Sequence, residues 1–166
     1  MNVEFRRIGP GDAGLLQAAA EDVFDDAVDQ ARAEIFLGDP RNILIVAVAE
    51  GLIIGQVQAV AHAHLDAAPD LFIDNLGVTP SWRRRGVARR LIALALEAGR
   101  RVGAEEAWVL TELDNTAAQS AYRNAGAATR QTTMFTFDLT AAQAADAERR
   151  GRSPATASLQ EPLIRR

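Results

Sequence analysis

Arg83-Arg84-Arg85-Gly86-Val87-Ala88 decides the reading of this chain because of what flanks it. Before it, residues 71–78 form an apolar run with strand composition that stops at Thr79-Pro80. After it, Leu91, Leu94, Ala95, Ala98 and Val102 recur at three- and four-residue steps, so residues 86–102 read as a long helix with one buried face. Strand, arginine-glycine turn and helix in that order place backbone N–H groups at a helix N-terminus, where the macrodipole favours anions. Gly86 permits the tight turn, Ala88 leaves room for a phosphate to approach, and the arginines add charge-assisted bonds. An arginine run is also the composition of a solvated basic surface or a nucleic-acid patch. The net charge of −4 and the strand-to-helix setting favour a phosphate cradle, and nucleic-acid binding is not expected.

Working outward, residues 3–8 read as a first strand, broken by Gly9-Pro10-Gly11-Asp12, with Asp12 placed to cap a helix through Leu15 and Leu16. An acidic stretch, residues 21–29, precedes a short helix carrying Ala33, Ile35, Phe36 and Leu37, which the Gly38-Asp39-Pro40 cluster ends. Residues 43–49 and 52–63 are rich in β-branched and aliphatic side chains on either side of Glu50-Gly51 and read as an antiparallel hairpin. Residues 71–78 are then the fourth strand and residues 107–110 a short buried fifth. Asn115 is placed to cap a helix over 116–125 that Gly126 closes, and residues 134–139 alternate as a last strand. Residues 1–140 form the expected domain, and residues 141–166 an extension, partly helical and then mobile.

Composition narrows the classes further. No apolar run is long enough to span a bilayer and no signal-peptide pattern opens the chain, so a soluble cytoplasmic protein without a membrane partner is expected. There is no cysteine, which removes disulfides, thiolate metal sites and cysteine nucleophiles. Residues 1–80 carry 13 acids against 4 arginines, whereas residues 81–166 carry 9 acids against 14 arginines. That split suits a cationic ligand near the first half and an anionic one near the second, although ordinary surface charge also produces such a pattern.

Two separated patterns carry a resemblance. Arg83, Gly86 and Ala88 match Arg/Gln-x-x-Gly-x-Gly/Ala after a strand, and Asn115, Ala118, Tyr122 and Gly126 match Asn-x-x-Ala-x-x-x-Tyr-x-x-x-Gly after the next. In that order and spacing the chain resembles the GNAT acetyltransferases over residues 3–139. The resemblance implies an α/β (α+β) GNAT fold: a mixed, mostly antiparallel sheet of six or seven strands with about four helices, its fourth and fifth strands splayed around acetyl-CoA. It implies that the backbone of Leu76, Gly77 and Val78 holds the pantetheine arm, with the N–H of Leu76, at a bulge, polarising the thioester carbonyl. The pyrophosphate is expected on the N–H groups of Arg84, Arg85, Gly86, Val87 and Ala88 beside Arg83, with Asn115 and Tyr122 reaching the cofactor from the second pattern. Arg89 or Arg90 is placed to meet the 3′-phosphate.

An amine must be neutral to attack, and an alkylamine of pKa about ten is protonated at neutral pH, so a proton acceptor is required. Asp74 and Glu112 stand where the two strands diverge; either is a candidate base, Asp74 the preferred one, and either could equally bind a cationic acceptor. Tyr122, the only tyrosine, matches the family residue that hydrogen-bonds the departing sulfur. Direct transfer in a ternary complex is the simplest scheme for a chain without cysteine. His62 and His64 share a strand face and are expected as pocket-wall or surface residues; no metal site is expected, because no third ligand completes one. Residues 23–26 and 36–40, together with Tyr122, are similar, more loosely, to the aminoglycoside 3-N-acetyltransferase branch. Asp25, Asp26, Asp74, Asn75 and Glu112 would then face a small cationic amine. The match departs at Asp74 and Asn75, which stand opposite an aromatic and an acidic residue of that branch. A protein lysine or N-terminal amine, and a non-catalytic acetyl-CoA-binding module, are the alternatives. Family members often dimerise, and a homodimer through the last strand and tail is the expected assembly.

Overall fold

A computed structural model of the chain describes residues 2–139. The two β-branched runs of the middle of the chain form the hairpin β2 (Asn42–Ala49) and β3 (Leu52–His62). Glu50 and Gly51 turn it with φ of 54° and 79°, the paired left-handed geometry whose twist matches that of the strands. β1 (Glu4–Ile8) pairs antiparallel with β2, and β4 (Asp70–Val78) antiparallel with β3. β5 (Glu106–Trp108) lies parallel to β4, giving a five-stranded sheet in the order β1-β2-β3-β4-β5. A parallel neighbour needs a crossover, and α2 (Val87–Arg101) supplies it; α1 (Gln30–Gly38) and α3 (Thr116–Asn124) are the other α-helices. Short 3-10 segments run over Ala13–Ala18 and Pro80–Trp82.

Strand alternation sends neighbouring residues to opposite faces, and each face has its own core. Ile43, Ile45, Val57, Leu71 and Ile73 pack on Val87, Leu91 and Ala95 of α2. Leu44, Val46 and Ile53 pack on the other side against Leu16, Val23, Ala33 and Leu37. Of the periodicity read along residues 91–102, Leu91, Ala95 and Ala98 are buried and Leu94 half-buried, whereas Val102 lies just past the end of α2 and is exposed, since nothing continues the core beyond the last turn. No helix among the described residues is long and apolar enough to cross a membrane.

Several details differ from the sequence expectation. The described residues hold five strands, not six or seven, and residues 134–139 form none. Phe135 and Phe137 are 81% and 86% exposed there, because a two-residue alternation makes a strand only when a ladder partner is present. β5 is shorter than expected and exposed rather than buried; as an edge strand beginning at Glu106 it is covered at most on one side. Asp12 does not cap its helix, which is 3-10 rather than α; its Oδ2 accepts from the Gly9 N–H (3.0 Å) and closes the preceding turn instead. Residues 1–129 and 130–166 separate into two units, and the expected extension at 141–166 lies outside the described residues.

Two glycines record close approaches. A Cβ at Gly77 would lie 2.1 Å from the Val23 carbonyl oxygen, a backbone atom that cannot rotate away, whereas one at Gly99 would lie 2.9 Å from the end of the Leu71 side chain. Gly77→Ala is therefore expected to destabilise the chain by about 2–3 kcal/mol and Gly99→Ala by clearly less, in urea denaturation. Equal losses would contradict a backbone-to-backbone contact at Gly77.

Candidate active site

β4 has two halves. Asp70, Leu71 and Phe72 are paired on both sides, with β3 and with Glu106, Ala107 and Trp108 of β5. Beyond Phe72 no described strand lies on the β5 side, so residues 73–78 present an open backbone edge. Within that half the register slips: Ala59 faces Ile73 and Gln58 faces Asn75, leaving Asp74 as the extra residue of a bulge. The bulge is thus at Asp74, not at Leu76, which is back in register opposite Val57. The reason is the apolar phase, since Leu71 and Ile73 face α2 from odd positions and Leu76 and Val78 from even ones. One inserted residue reconciles the two, and that change of phase was already visible in the sequence. Asp74 itself is exposed, and Leu76, Gly77 and Val78 are half-buried.

The arginine-glycine turn, expected as a phosphate cradle, follows directly. Arg84 (φ 57°) and Gly86 (φ 83°) both adopt left-handed conformations, and α2 starts with the Arg90 N–H bonded to the Gly86 carbonyl (3.1 Å). Left-handed residues interleaved in a turn gather successive N–H groups into an anion-binding concavity, and Arg84 occupies a conformation costly for a side-chain-bearing residue. Val87 anchors the first turn in the core and Ala88 is half-buried beside it. The first turn of α2 holds no acid but includes Arg89 and Arg90. Positive charge at a helix N-terminus opposes the dipole, and among the described residues neither these two arginines nor Arg84 has an ion pair. Arg85 lies over the Trp82 ring, 5.1 Å from its centroid.

Arg83, expected beside the phosphates, has its side chain engaged within the protein. Its Nε donates to the Val78 carbonyl (3.0 Å) and its Nη2 to Asp22 Oδ2 (3.2 Å), so its side chain ties the end of β4 to the acidic stretch. Asp22, itself left-handed (φ 58°), was not singled out in the sequence because nothing local distinguishes it from its acidic neighbours.

That stretch forms the second wall. A cavity of about 510 Å³ is lined by Glu21, Asp22, Asp25 and Asp26 with Leu16 and Phe24. The segment is fastened to β3 by the Ala20 N–H bonded to the Ile53 carbonyl (2.9 Å) and to β4 by Asn75 Nδ2 donating to Asp25 Oδ2 (2.7 Å). Asp25 and Asn75, both sequence candidates, are brought together; Asp26 is exposed on the cavity rim.

The second pattern holds as local structure. Asn115 Oδ1 accepts the Ala118 N–H (3.0 Å) and caps α3, and Gly126 (φ 96°) ends it. Tyr122, on α3, is half-buried, and burial raises its phenol above the ordinary value. Glu112 is exposed in the turn before α3, where its carbonyl accepts the Asn115 N–H (3.1 Å). No hydrogen bond among the described residues joins Asp74, Glu112 and Tyr122.

At the far end of β4, His64 Nε2 lies 3.0 Å from Asp70 Oδ2 and His62 Nδ1 lies 3.4 Å from Oδ1. Burial pushes the Asp70 carboxyl up, but hydrogen bonds from His64 and Trp108 outweigh it and hold it below the usual carboxylate value. Phe72 and Trp108 stack beside them with centroids 4.3 Å apart. No group of three metal-ligating side chains exists among the described residues.

The sequence model of the acetyltransferase (GNAT) family matches residues 14–127. An aminoglycoside N(6′)-acetyltransferase type 1 of Salmonella typhimurium is 34% identical over 85 residues, 49% of this chain and 59% of that protein. The chain therefore spans about three-fifths of that relative's length. Among solved structures, an aminoglycoside N-acetyltransferase AAC(6′)-Iy in complex with CoA superposes with a TM-score of 0.72 at 24% identity, covering 84% of this chain and 96% of that one. An aminoglycoside acetyltransferase, meta-AAC0020, from an uncultured soil metagenomic sample in complex with sisomicin superposes with a TM-score of 0.74 at 20% identity, covering 83% and 97%. At these identities the two structures establish a shared fold.

The uncompensated arginines make one expectation independent of activity. Inorganic sulfate at 10–50 mM, on the order of a weak anion site's affinity, should raise Tm by about 1–4 °C through binding to the folded state, and Arg84→Gln with Arg90→Gln should remove most of that gain. An equal gain in the double variant would place anion binding elsewhere.

Proposed function

The chain belongs to the acetyltransferase (GNAT) family, and we propose that it transfers an acetyl group from acetyl-CoA to the amine of a small cationic molecule, with aminoglycosides and related amino sugars or polyamines as the acceptor class. The observation that carries this reading is the pairing of two oppositely charged sites across β4. An open strand edge and an arginine-rich cradle lie toward α2, and a four-carboxylate cavity lies over the opposite face. The relative's and structural neighbours' aminoglycoside names support the acceptor class. The curated relative is named for the 6′ amine, whereas the sequence resemblance was to a 3-N branch, so the position modified is for regiochemical analysis to assign.

The residues present fit acetyl-CoA. Its pantetheine amides can add as a strand would to the edge at Leu76, Gly77 and Val78 that no described strand pairs, the Val78 carbonyl being held by Arg83, and its pyrophosphate suits the left-handed turn from Arg84 to Ala88. When bound, it supplies an acetyl group activated as a thioester. The chain's own residues then have three tasks. Main-chain N–H groups of β4 beside the Asp74 bulge polarise the acetyl carbonyl without reorganising. Asp74 or Glu112 takes the amine proton, directly or through water. Tyr122 gives its proton to the leaving sulfur; burial raises its phenol, making it a weaker acid, so the transfer relies on its being held against the sulfur. With no cysteine to carry the acyl group, direct transfer between two bound substrates is the scheme the chain's composition favours.

Thiol release from acetyl-CoA across aminoglycosides, polyamines, amino acids and short peptides tests the reading. Turnover is expected on polycationic small molecules and not on peptides. Tyr122→Phe is expected to lower kcat by about 10²-fold, and Asp74→Asn by about the same or less, with acetyl-CoA affinity unchanged. Peptide turnover would move the acceptor to protein amines, and acetyl-CoA binding without any turnover would indicate a non-catalytic module.

A further inference from the structure

Gln56 is fully buried in β3, a polar amide among mostly apolar neighbours, and nothing in the proposed reaction uses it. Its Nε2 donates to two oxygens at once, the Val23 carbonyl (3.2 Å) and Asn75 Oδ1 (2.5 Å), while its Oε1 has no hydrogen-bond partner among the described residues. Rotating the amide by half a turn would aim Oε1 at those same two oxygens and strip both of a donor, so one orientation is fixed. Because Asn75 Oδ1 must then face Gln56, Asn75 Nδ2 must face outward, where it donates to Asp25 Oδ2 (2.7 Å). The backbone carbonyl of Val23, which has only one polarity, thus sets two amide orientations in succession and ends at an exposed carboxylate.

We propose that Gln56 is a positioning residue for acceptor recognition: through Asn75 it presents the Asp25 carboxylate, with Oδ1 left open, as the fixed counter-charge for an ammonium group of a cationic acceptor. This rests on the proposed acetyl transfer and adds the residue that selects its substrate. Asn75 occupies one oxygen of Asp25, no other hydrogen bond among the described residues holds that side chain, and Asp25 lines the acidic cavity. The surrounding segment is held so that the carboxylate cannot drift: Val23 is wedged against Gly77, Ala20 is bonded to Ile53, and Asp22 is paired with Arg83. An oriented, half-satisfied carboxylate binds a cation with less ordering cost than a mobile one.

The test uses the full chain, with spermine and an aminoglycoside panel as acceptors and side-chain amide NMR as a readout independent of turnover. Gln56→Leu keeps the volume and removes the relay, and Gln56→Glu keeps the shape and reverses its polarity. Both should raise acceptor KM by about tenfold, with acetyl-CoA KM and kcat within about twofold of wild type. Asp25→Asn should do the same, and Gln56→Leu combined with Asp25→Asn should be no worse than the worse single variant, because both break one chain of contacts. Multiplicative losses, or a fall in kcat matched by a rise in acetyl-CoA KM, would reduce Gln56 to a structural role and overturn the proposal. The Asn75 side-chain amide resonances should shift in Gln56→Leu and in Asp25→Asn alike; no shift in the former overturns the relay itself. If the relay resonances shift but wild type acetylates no amine, the acetyl-transfer reading fails, and with it the acceptor role, while the relay stands as structure.

Discussion

The site depends on the loss of one hydrogen-bond ladder. Among the described residues β4 is held between β3 and β5 at residues 70–72 and by β3 alone from 73 to 78, and the change falls beside the Asp74 bulge. A backbone edge left unpaired is normally a liability. Here it adjoins a helix N-terminus whose Arg89 and Arg90 have no ion pair among the described residues, and the two features together suit the ligand proposed above, an extended amide chain ending in phosphates. α2 makes this arrangement rigid, because its apolar stripe is buried against β2, β3 and β4.

Electrostatics then divides the protein across the sheet. The acidic segment is fixed from three directions, by Ile53 of β3, by Gly77 and Asn75 of β4, and by Arg83 of the cradle. Arg83 is the hinge of this division. Its guanidinium compensates an acid of one wall while its backbone begins the turn that forms the other. The surface ion pair is worth little by itself; its value is in register, holding the acidic segment at a set distance from the arginine turn.

Much of this was legible in the sequence because local chemistry demanded it. The hairpin follows from β-branched runs around Glu50-Gly51, α2 from its three- and four-residue spacing, and the cap of α3 from Asn115. The bulge was legible in the switch of apolar phase between Ile73 and Leu76 but was placed two residues late. What escaped was non-local. Gln56 meets Asn75 only through strand register and Val23 only through a loop returning to β4, and no spacing along the chain encodes either contact. Residues 134–139 failed in the opposite direction, since their alternation is real but a strand exists only with a partner.

Hydrogen exchange with and without CoA tests the central claim most directly, since it reports which backbone amides a ligand covers. The account predicts slowed exchange in peptides spanning residues 74–78 and 84–90, with little change across residues 20–28. Protection centred on the acidic segment, or none at the β4 edge, would contradict a cofactor bound in the opening between β4 and β5.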